Sequence, residues 1–352
     1  MQLTIKPSHL KDVLETCLKS VRANPDKGLV PFITAAPGIG KSTIVTSFAS
    51  DHTLSFFDTR LAYAAPTDVR GLPYLNRADA NNPVMEFAIP GEYPKTPGNV
   101  WLLDEFPCAP KTVQNASLQL LLDKRVGNYK VPADTLIVLA GNRKIDRASV
   151  ETLSSAVQNR LMEVTLEVDH DEWTTWGLNN NVHEMVIAYL QMCPGHLSDF
   201  DGSKWKGGAF ASPRSWEMVS HLLGHAPSDT GVRMAMIAGL IGPAIGTQFN
   251  AFCSVYDNLP DVNAILLSPD TADVPSEPSV QYALATALAN KATAQNFDRV
   301  VRYTDRLPKA IDVLTVKLAI RGDRATGANS PVKNPAFTKW AQTNGNIILG
   351  IR

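Results

Sequence analysis

The chain has 352 residues, 44% hydrophobic and 19% charged, the proportions of a folded globular protein rather than a disordered or fibrous one. That length exceeds one ordinary domain, so two or three units are expected. Lys plus Arg number 33 against 34 acids, which excludes a whole-surface field for nucleic acid or anionic membrane, so any polyanion site has to be local.

The first residues, Met-Gln-Leu-Thr-Ile-Lys, lack the charged start and apolar core of a signal peptide, and a cytoplasmic location is expected. A first helix is marked by Leu10, Val13, Leu14, Cys17, Leu18 and Val21 on one face, with Ser8 as its expected cap and Pro25 beyond it. Apolar runs recur at 29–34, 54–58, 100–103, 136–140 and 161–166. Buried parallel strands read as such runs, which predicts an α/β fold with a five-stranded, mostly parallel sheet covered on both faces.

After Val168 helices dominate. Asp169 and Glu172 have capping-box spacing before Trp173 and Trp176, and Val280, Ala283, Leu284, Ala287 and Leu288 predict an amphipathic face. The apolar stretch from Met234 to Gly246 is too short for the ~20 residues of a membrane span and reads as a buried helix that ends or kinks at Pro243. A Pro-rich connection, 259–278, precedes that amphipathic face, and further helices are expected near 297–307, 309–320 and 337–342. Cys17, Cys108, Cys193 and Cys253 form no Cys-x-x-Cys pair and read as free thiols of a reducing compartment.

The strongest chemical signal is Ala35-Ala36-Pro37-Gly38-Ile39-Gly40-Lys41-Ser42, placed between the first apolar run and a helix. Glycines there let backbone N–H groups turn toward phosphates, Lys41 can reach the β- and γ-phosphates, and the Ser42 hydroxyl can ligate magnesium. Ala35 stands where the phosphate-loop pattern has its first glycine, which is harmless at negative φ and costly at positive φ. A second signal, Asn99 to Glu105, is an apolar strand ending in two carboxylates: Asp104 suits a magnesium shell and Glu105 the polarisation of an attacking water. The fourth run ends in Gly141-Asn142-Arg143, which sets an amide beside the loop if the strands are neighbours. Asn159-Arg160-Leu161 and Ser212-Pro213-Arg214 each offer an arginine.

Together these segments resemble the AAA+ ATPases, and more closely the MoxR branch, over about the first half of the chain. The resemblance implies a nucleotide-binding core at 1–168, a helical lid at 169–258, and a linker with a C-terminal helical region at 259–352. It implies ATP and Mg2+ as cofactors. Pro37, Gly38, Ile39, Gly40, Lys41, Ser42 and Thr43 would bind the nucleotide, and Ser42 and Asp104 the metal. Glu105, Asn142 as sensor 1, Arg160 as arginine finger and Arg214 as sensor 2 would be catalytic, with Arg143 and Arg147 as other candidates for the finger.

Two further segments resemble that branch. Pro66 to Pro90 is similar to a helix-2 insertion, with Asn81-Asn82 as its hairpin tip, and Lys124 to Val131 resembles a presensor-1 hairpin around Gly127-Asn128. Both would face a ring pore. The resemblance thus implies a hexameric, chaperone-like ATPase that remodels a protein partner, with a von Willebrand factor A protein as an implied companion. The alternative is a nucleic-acid motor or loader, for which Lys124, Arg125 and Lys130 would supply charge. A nucleotide-regulated scaffold without turnover is a third reading.

Overall fold

The computed structural model describes residues 3–26, 28–76, 83–146 and 153–348. The chain divides into two compact units, Met1–Asp169 with Phe200–Trp205, and His170–Asp199 with Lys206–Arg352.

The first unit is built on a six-stranded parallel sheet. Its strands are β1 (Thr4–Ile5), β2 (Pro31–Ala35), β3 (Ser55–Arg60), β6 (Asn99–Asp104), β9 (Thr135–Asn142) and β10 (Met162–Leu166), in the spatial order β1-β10-β2-β9-β6-β3. The expected count of five needs correction, because β1 pairs with β10 over only two residues and is too short to show periodicity. The central strands β2 and β9 are buried almost throughout, as strands covered on both faces must be.

On one face lie α1 (Pro7–Ala23) and α2 (Lys41–Asp51), packed against Ile33, Val100, Leu102, Val138 and Ala140. Burying Leu10, Leu14, Leu18 and Val21 of α1, all at most 2% exposed, contributes roughly 1.5–3 kcal/mol per side chain. Pro7 opens this helix at its first position, where a missing N–H costs nothing, and Lys6 occupies the cap position. Ser8 therefore lies inside the helix rather than capping it.

The opposite face carries Phe32, Trp101, Leu103, Ile137 and Leu139 against α4 (Lys111–Asp123). The rings of Tyr93 and Trp101 meet edge-on at 4.6 Å, and Tyr129 Oη donates to the Pro94 carbonyl at 2.8 Å. The short helix α3 (Pro66–Arg70) precedes an antiparallel hairpin of β4 (Leu72–Asn76) and β5 (Val84–Ala88); the expected tip Asn81-Asn82 lies outside the described residues. A second hairpin, β7 (Arg125–Val126) with β8 (Tyr129–Lys130), turns at Gly127-Asn128 as its sequence suggests. A short α5 (Ser155–Gln158), capped by Ser154, comes before β10.

The second unit is helical: α6 (His170–Asn179), α7 (Glu184–Met192), α8 (Pro213–Leu223), α9 (Thr230–Ile241), α10 (Pro243–Asp257), α11 (Val262–Leu267), α12 (Pro278–Lys291), α13 (Phe297–Thr304), α14 (Lys309–Ala319) and α15 (Pro335–Ile348). Three expectations are corrected here. The stretch from Met234 to Gly246 breaks where its proline suggests, with α9 ending at Gly242 (φ +85°) and Pro243 opening α10, but it is not buried throughout, since Met236 is 44% exposed. Helix α12 is buried on all sides from Ala283 to Ala289, not along one face, because α7, α10 and α14 surround it. The connection 259–278 contains α11. Among the described residues no helix is long and apolar enough to cross a membrane, and the four cysteines are free.

Candidate functional site

The loop after β2 has the backbone that the glycines foretell. Gly38 and Gly40 have φ of +76° and +96°, a region that side chains disfavour, and Gly40 is the left-handed cap from which α2 begins. A Cβ on Gly40 would meet nothing within 4 Å, so conformation alone calls for glycine there. Ala35 is the last residue of β2 and is not among the residues with positive φ, so its methyl group adds no strain. The N–H groups of the first turn of α2 have no partner within the helix and carry its positive partial charge, which suits an anion.

Lys41, the first residue of α2, is 9% exposed, and its Nζ donates to Asn142 Oδ1 at 3.1 Å and to the carbonyls of Ala35 and Ala36 at 3.4 Å. Asn142 reaches it because β2 and β9 are neighbours with Ala35 in register with Asn142. Next along the helix, Ser42 Oγ donates to Asp104 Oδ2 at 2.8 Å. Asp104 closes β6, and its other oxygen accepts from the Glu105 backbone N–H at 2.8 Å.

That second bond holds Glu105 in a left-handed conformation, φ +56°, from which the chain turns into a single 3-10 turn over Phe106–Cys108. A glutamate in this region costs on the order of 1–2 kcal/mol, a local strain tolerated where the direction of the carboxylate matters. Gly141 allows the turn to approach β9, since a Cβ there would stand 2.3 Å from Pro107 Cδ. The result is that Asp104, Glu105 and Asn142 come from neighbouring strand ends on the edge where the loop lies.

The structure thus joins Lys41 to Asn142 and Ser42 to Asp104 at the start of one helix, with Glu105 adjoining. Pro37, Ile39 and Thr43 complete the loop and the first helical turn, with Ile39 packed against the α1/α2 core. Ser42 and Asp104 offer two hard oxygen donors side by side, a set that fits magnesium, an ion that takes few protein ligands and keeps several waters.

Arg160 lies elsewhere. It is exposed, in the turn between α5 and β10, where Met162 is in register with Pro31 at the start of the sheet. The loop follows the other end of β2, about 13–17 Å away at a strand's rise per residue. Arg143 forms a bidentate ion pair with the buried Asp146, with bonds of 2.8 and 3.1 Å, so its guanidinium is engaged within its own turn. Arg147 lies outside the described residues. Arg214 is the second residue of α8, exposed, in the other unit.

One expectation about the hairpin of β7 and β8 is corrected. Lys124 is 4% exposed and its Nζ is buried without a hydrogen bond, so it adds no charge to the surface. Arg125 and Lys130 are exposed, and Lys130 stands 3.5 Å from Asp26. A cleft of about 510 Å³ between α3 and α4, with Arg70, Asn115 and Gln119 in its wall, shares no residue with the loop.

Sequence reasoning missed Asp58 on β3. Its carboxyl is pushed up by burial and then by the Asp104 carboxylate. The signal was an acid inside an apolar run, legible as a partner of Asp104 only once the strand order is known.

No family model matches the chain, and no curated protein matches it. Similar solved structures include the RuvB Holliday junction branch migration motor of Thermotoga maritima, at 14% identity over 80% of this chain and 81% of that one, with a TM-score of 0.35. NtrX from Brucella abortus is similar at 13% identity over 86% of this chain and 67% of its own, with a TM-score of 0.32. Likenesses this distant say nothing about function.

Proposed function

We propose that the chain is an ATPase of the AAA+ type that binds Mg-ATP in the loop from Pro37 to Thr43 and hydrolyses it as one subunit of a ring. The reading is carried by two hydrogen bonds, Ser42 to Asp104 and Lys41 to Asn142, which join segments 62 and 101 residues apart into one locus. Its groups match the needs of a triphosphate: loop amides and a helix N-terminus for the phosphates, a lysine for the β- and γ-oxygens, and carboxylates where water would attack.

In this reading Lys41 exchanges Asn142 and the loop carbonyls for the β- and γ-phosphates. Ser42 and Asp104 would hold Mg2+, which when bound neutralises charge on the phosphate oxygens. Glu105 polarises the attacking water and Asn142 orients it. Arg160 serves the neighbouring subunit's site, and Arg214 acts from a lid at 169–258, with 259–352 as a C-terminal helical region. The substrate would be a protein, remodelled through the two hairpins, in a hexamer in the cytoplasm beside a von Willebrand factor A type partner; those last features rest on the resemblance.

The alternative, a nucleic-acid motor, draws on the exposed Arg125 and Lys130 alone. Salt-sensitive binding of DNA or RNA, lost on reversing those two charges, would favour it.

The test is a pair of variants. Lys41→Ala should lose ATP affinity in calorimetry, whereas Glu105→Gln should bind ATP and turn it over at least tenfold more slowly. Unchanged affinity in the first would remove the phosphate-loop reading, and wild-type turnover in the second would remove Glu105 from the chemistry.

A further inference from the structure

We infer that Asp58 is a further residue of this site, a carboxylate that holds the water shell of the magnesium ion beside Ser42 and Asp104. The inference rests on the phosphate-loop reading and deepens it.

The geometry comes from the sheet. β3 and β6 are parallel neighbours, with Asp58 in register with Leu102 and Arg60 with Asp104. Side chains alternate along a strand, so Leu102 and Asp104 share a face, and Asp58 opposite Leu102 shares it too. The core confirms which face. Val100, Leu102 and Phe56 pack into the cluster of α1 and α2, whereas Phe57, Trp101 and Leu103 pack on the other side. Ser42 meets Asp104 from α2, on the same side as Asp58.

Asp58 and Asp104 are therefore diagonal neighbours across two strands, a relation that sets residues roughly 7–8 Å apart and their Cβ atoms somewhat less. No hydrogen bond joins the two carboxylates, which as like charges repel each other. Their spacing suits an ion that is ligated by one of them and surrounded by waters that the other accepts from. Asp58 keeps capacity for this role: its side chain is 32% exposed, and although it forms an ion pair with Arg60, whose Nε lies 3.6 Å from one oxygen, a carboxylate has further lone pairs with which to accept from water. In keeping with that placement, burial and then the Asp104 carboxylate raise the Asp58 carboxyl while Arg60 lowers it, and a dication beside the two acids would offset their repulsion.

Charge arithmetic gives a test with two opposite signs. A neutral side chain at this position should weaken the hold on the metal, yet ease the approach of a metal-free nucleotide, whose phosphates are repelled by the same carboxylate. The experiment uses the full chain, Mn2+ as the magnetic substitute for Mg2+, and ADP. Mn2+ affinity of the ADP complex is read by electron paramagnetic resonance, and ADP affinity in EDTA by calorimetry. Asp58→Asn should weaken Mn2+ roughly tenfold, the lower end of the effect of losing an outer-shell partner, with ADP in EDTA bound equally or more tightly. Asp58→Glu, which keeps the charge, should restore most of the metal affinity.

Mn2+ affinity in Asp58→Asn within twofold of wild type would overturn the assignment, as would an equal loss in Asp58→Glu, which would mark a packing role. A parallel fall in ADP affinity in EDTA would likewise assign the change to damage of the loop. Failure of the wild-type chain to bind ADP at all would overturn the phosphate-loop reading itself, and this inference with it.

Discussion

Lys41 Nζ donates to Asn142 Oδ1 at 3.1 Å across strands whose backbones pair Ala35 with Asn142. The amide therefore holds the lysine amine at the end of β2, and in the proposed reading it would orient the attacking water once the lysine turns to the phosphates. Asn142→Ala should leave ATP affinity within about threefold of wild type and cut turnover by roughly 10²-fold, the scale for removal of one oriented donor. A large loss of affinity in calorimetry, with turnover falling only in proportion, would make Asn142 a support for Lys41 and nothing more.

Ala35 ends β2 outside the left-handed region, and this sets a second expectation. Ala35→Gly should keep ATP turnover within twofold and lower unfolding stability by about 0.5–1 kcal/mol, because the glycine adds freedom to the unfolded chain. Urea titration and a steady-state assay suffice. A tenfold gain in turnover would show instead that the alanine strains the loop.

Lys124 is buried in left-handed backbone at the end of α4, and burial lowers its ammonium from the ordinary 10.5 to about 8. Between those values the unfolded chain binds more protons than the folded one, so stability should rise with pH through that window. Below about 8 the full penalty applies, roughly 3 kcal/mol at most. Lys124→Met should stabilise the protein at pH 7 by about 1–3 kcal/mol and flatten the rise above pH 8. Chemical denaturation at several pH values checks both effects, and a destabilised variant would show that the amine has a partner.

The contrast between Lys124 and Lys41 shows how much the sequence could tell. The turn from Pro37 to Ser42 was legible because two glycines and a Lys-Ser pair at fixed spacing demand one backbone path, and the path is local. Asp104 and Asn142 were legible as strand ends, but their meeting with Ser42 and Lys41 depends on the order β2-β9-β6, which no single segment encodes. Lys124 read as surface charge because a lysine is expected outside, yet the fold encloses its side chain. Asp58 needed both the strand order and the register before it had a partner. In the helical unit, burial of α12 on every side erased the one-faced pattern expected of it.

Arg160 bears on assembly. It stands at the start of β10, while the loop follows the far end of β2, so within one chain the guanidinium is separated from the loop by about the length of a strand. In the proposed ring an arginine so placed would serve a neighbouring subunit's site, and such fingers contribute ~10³–10⁵ in rate. Arg160→Ala should therefore retain ATP affinity and lose most turnover. Lys41→Ala should lose nucleotide binding at its own site while keeping its finger. Mixed rings of the two variants should regain part of the activity, because some interfaces then pair an intact loop with an intact arginine. Turnover measured across mixing ratios, with mixed assembly verified by mass, separates the outcomes. Full activity of Arg160→Ala alone would reject the assignment and turn attention to Arg147, since Arg143 is engaged by Asp146. An inactive variant with no recovery in verified mixed rings would place the role of Arg160 within its own chain.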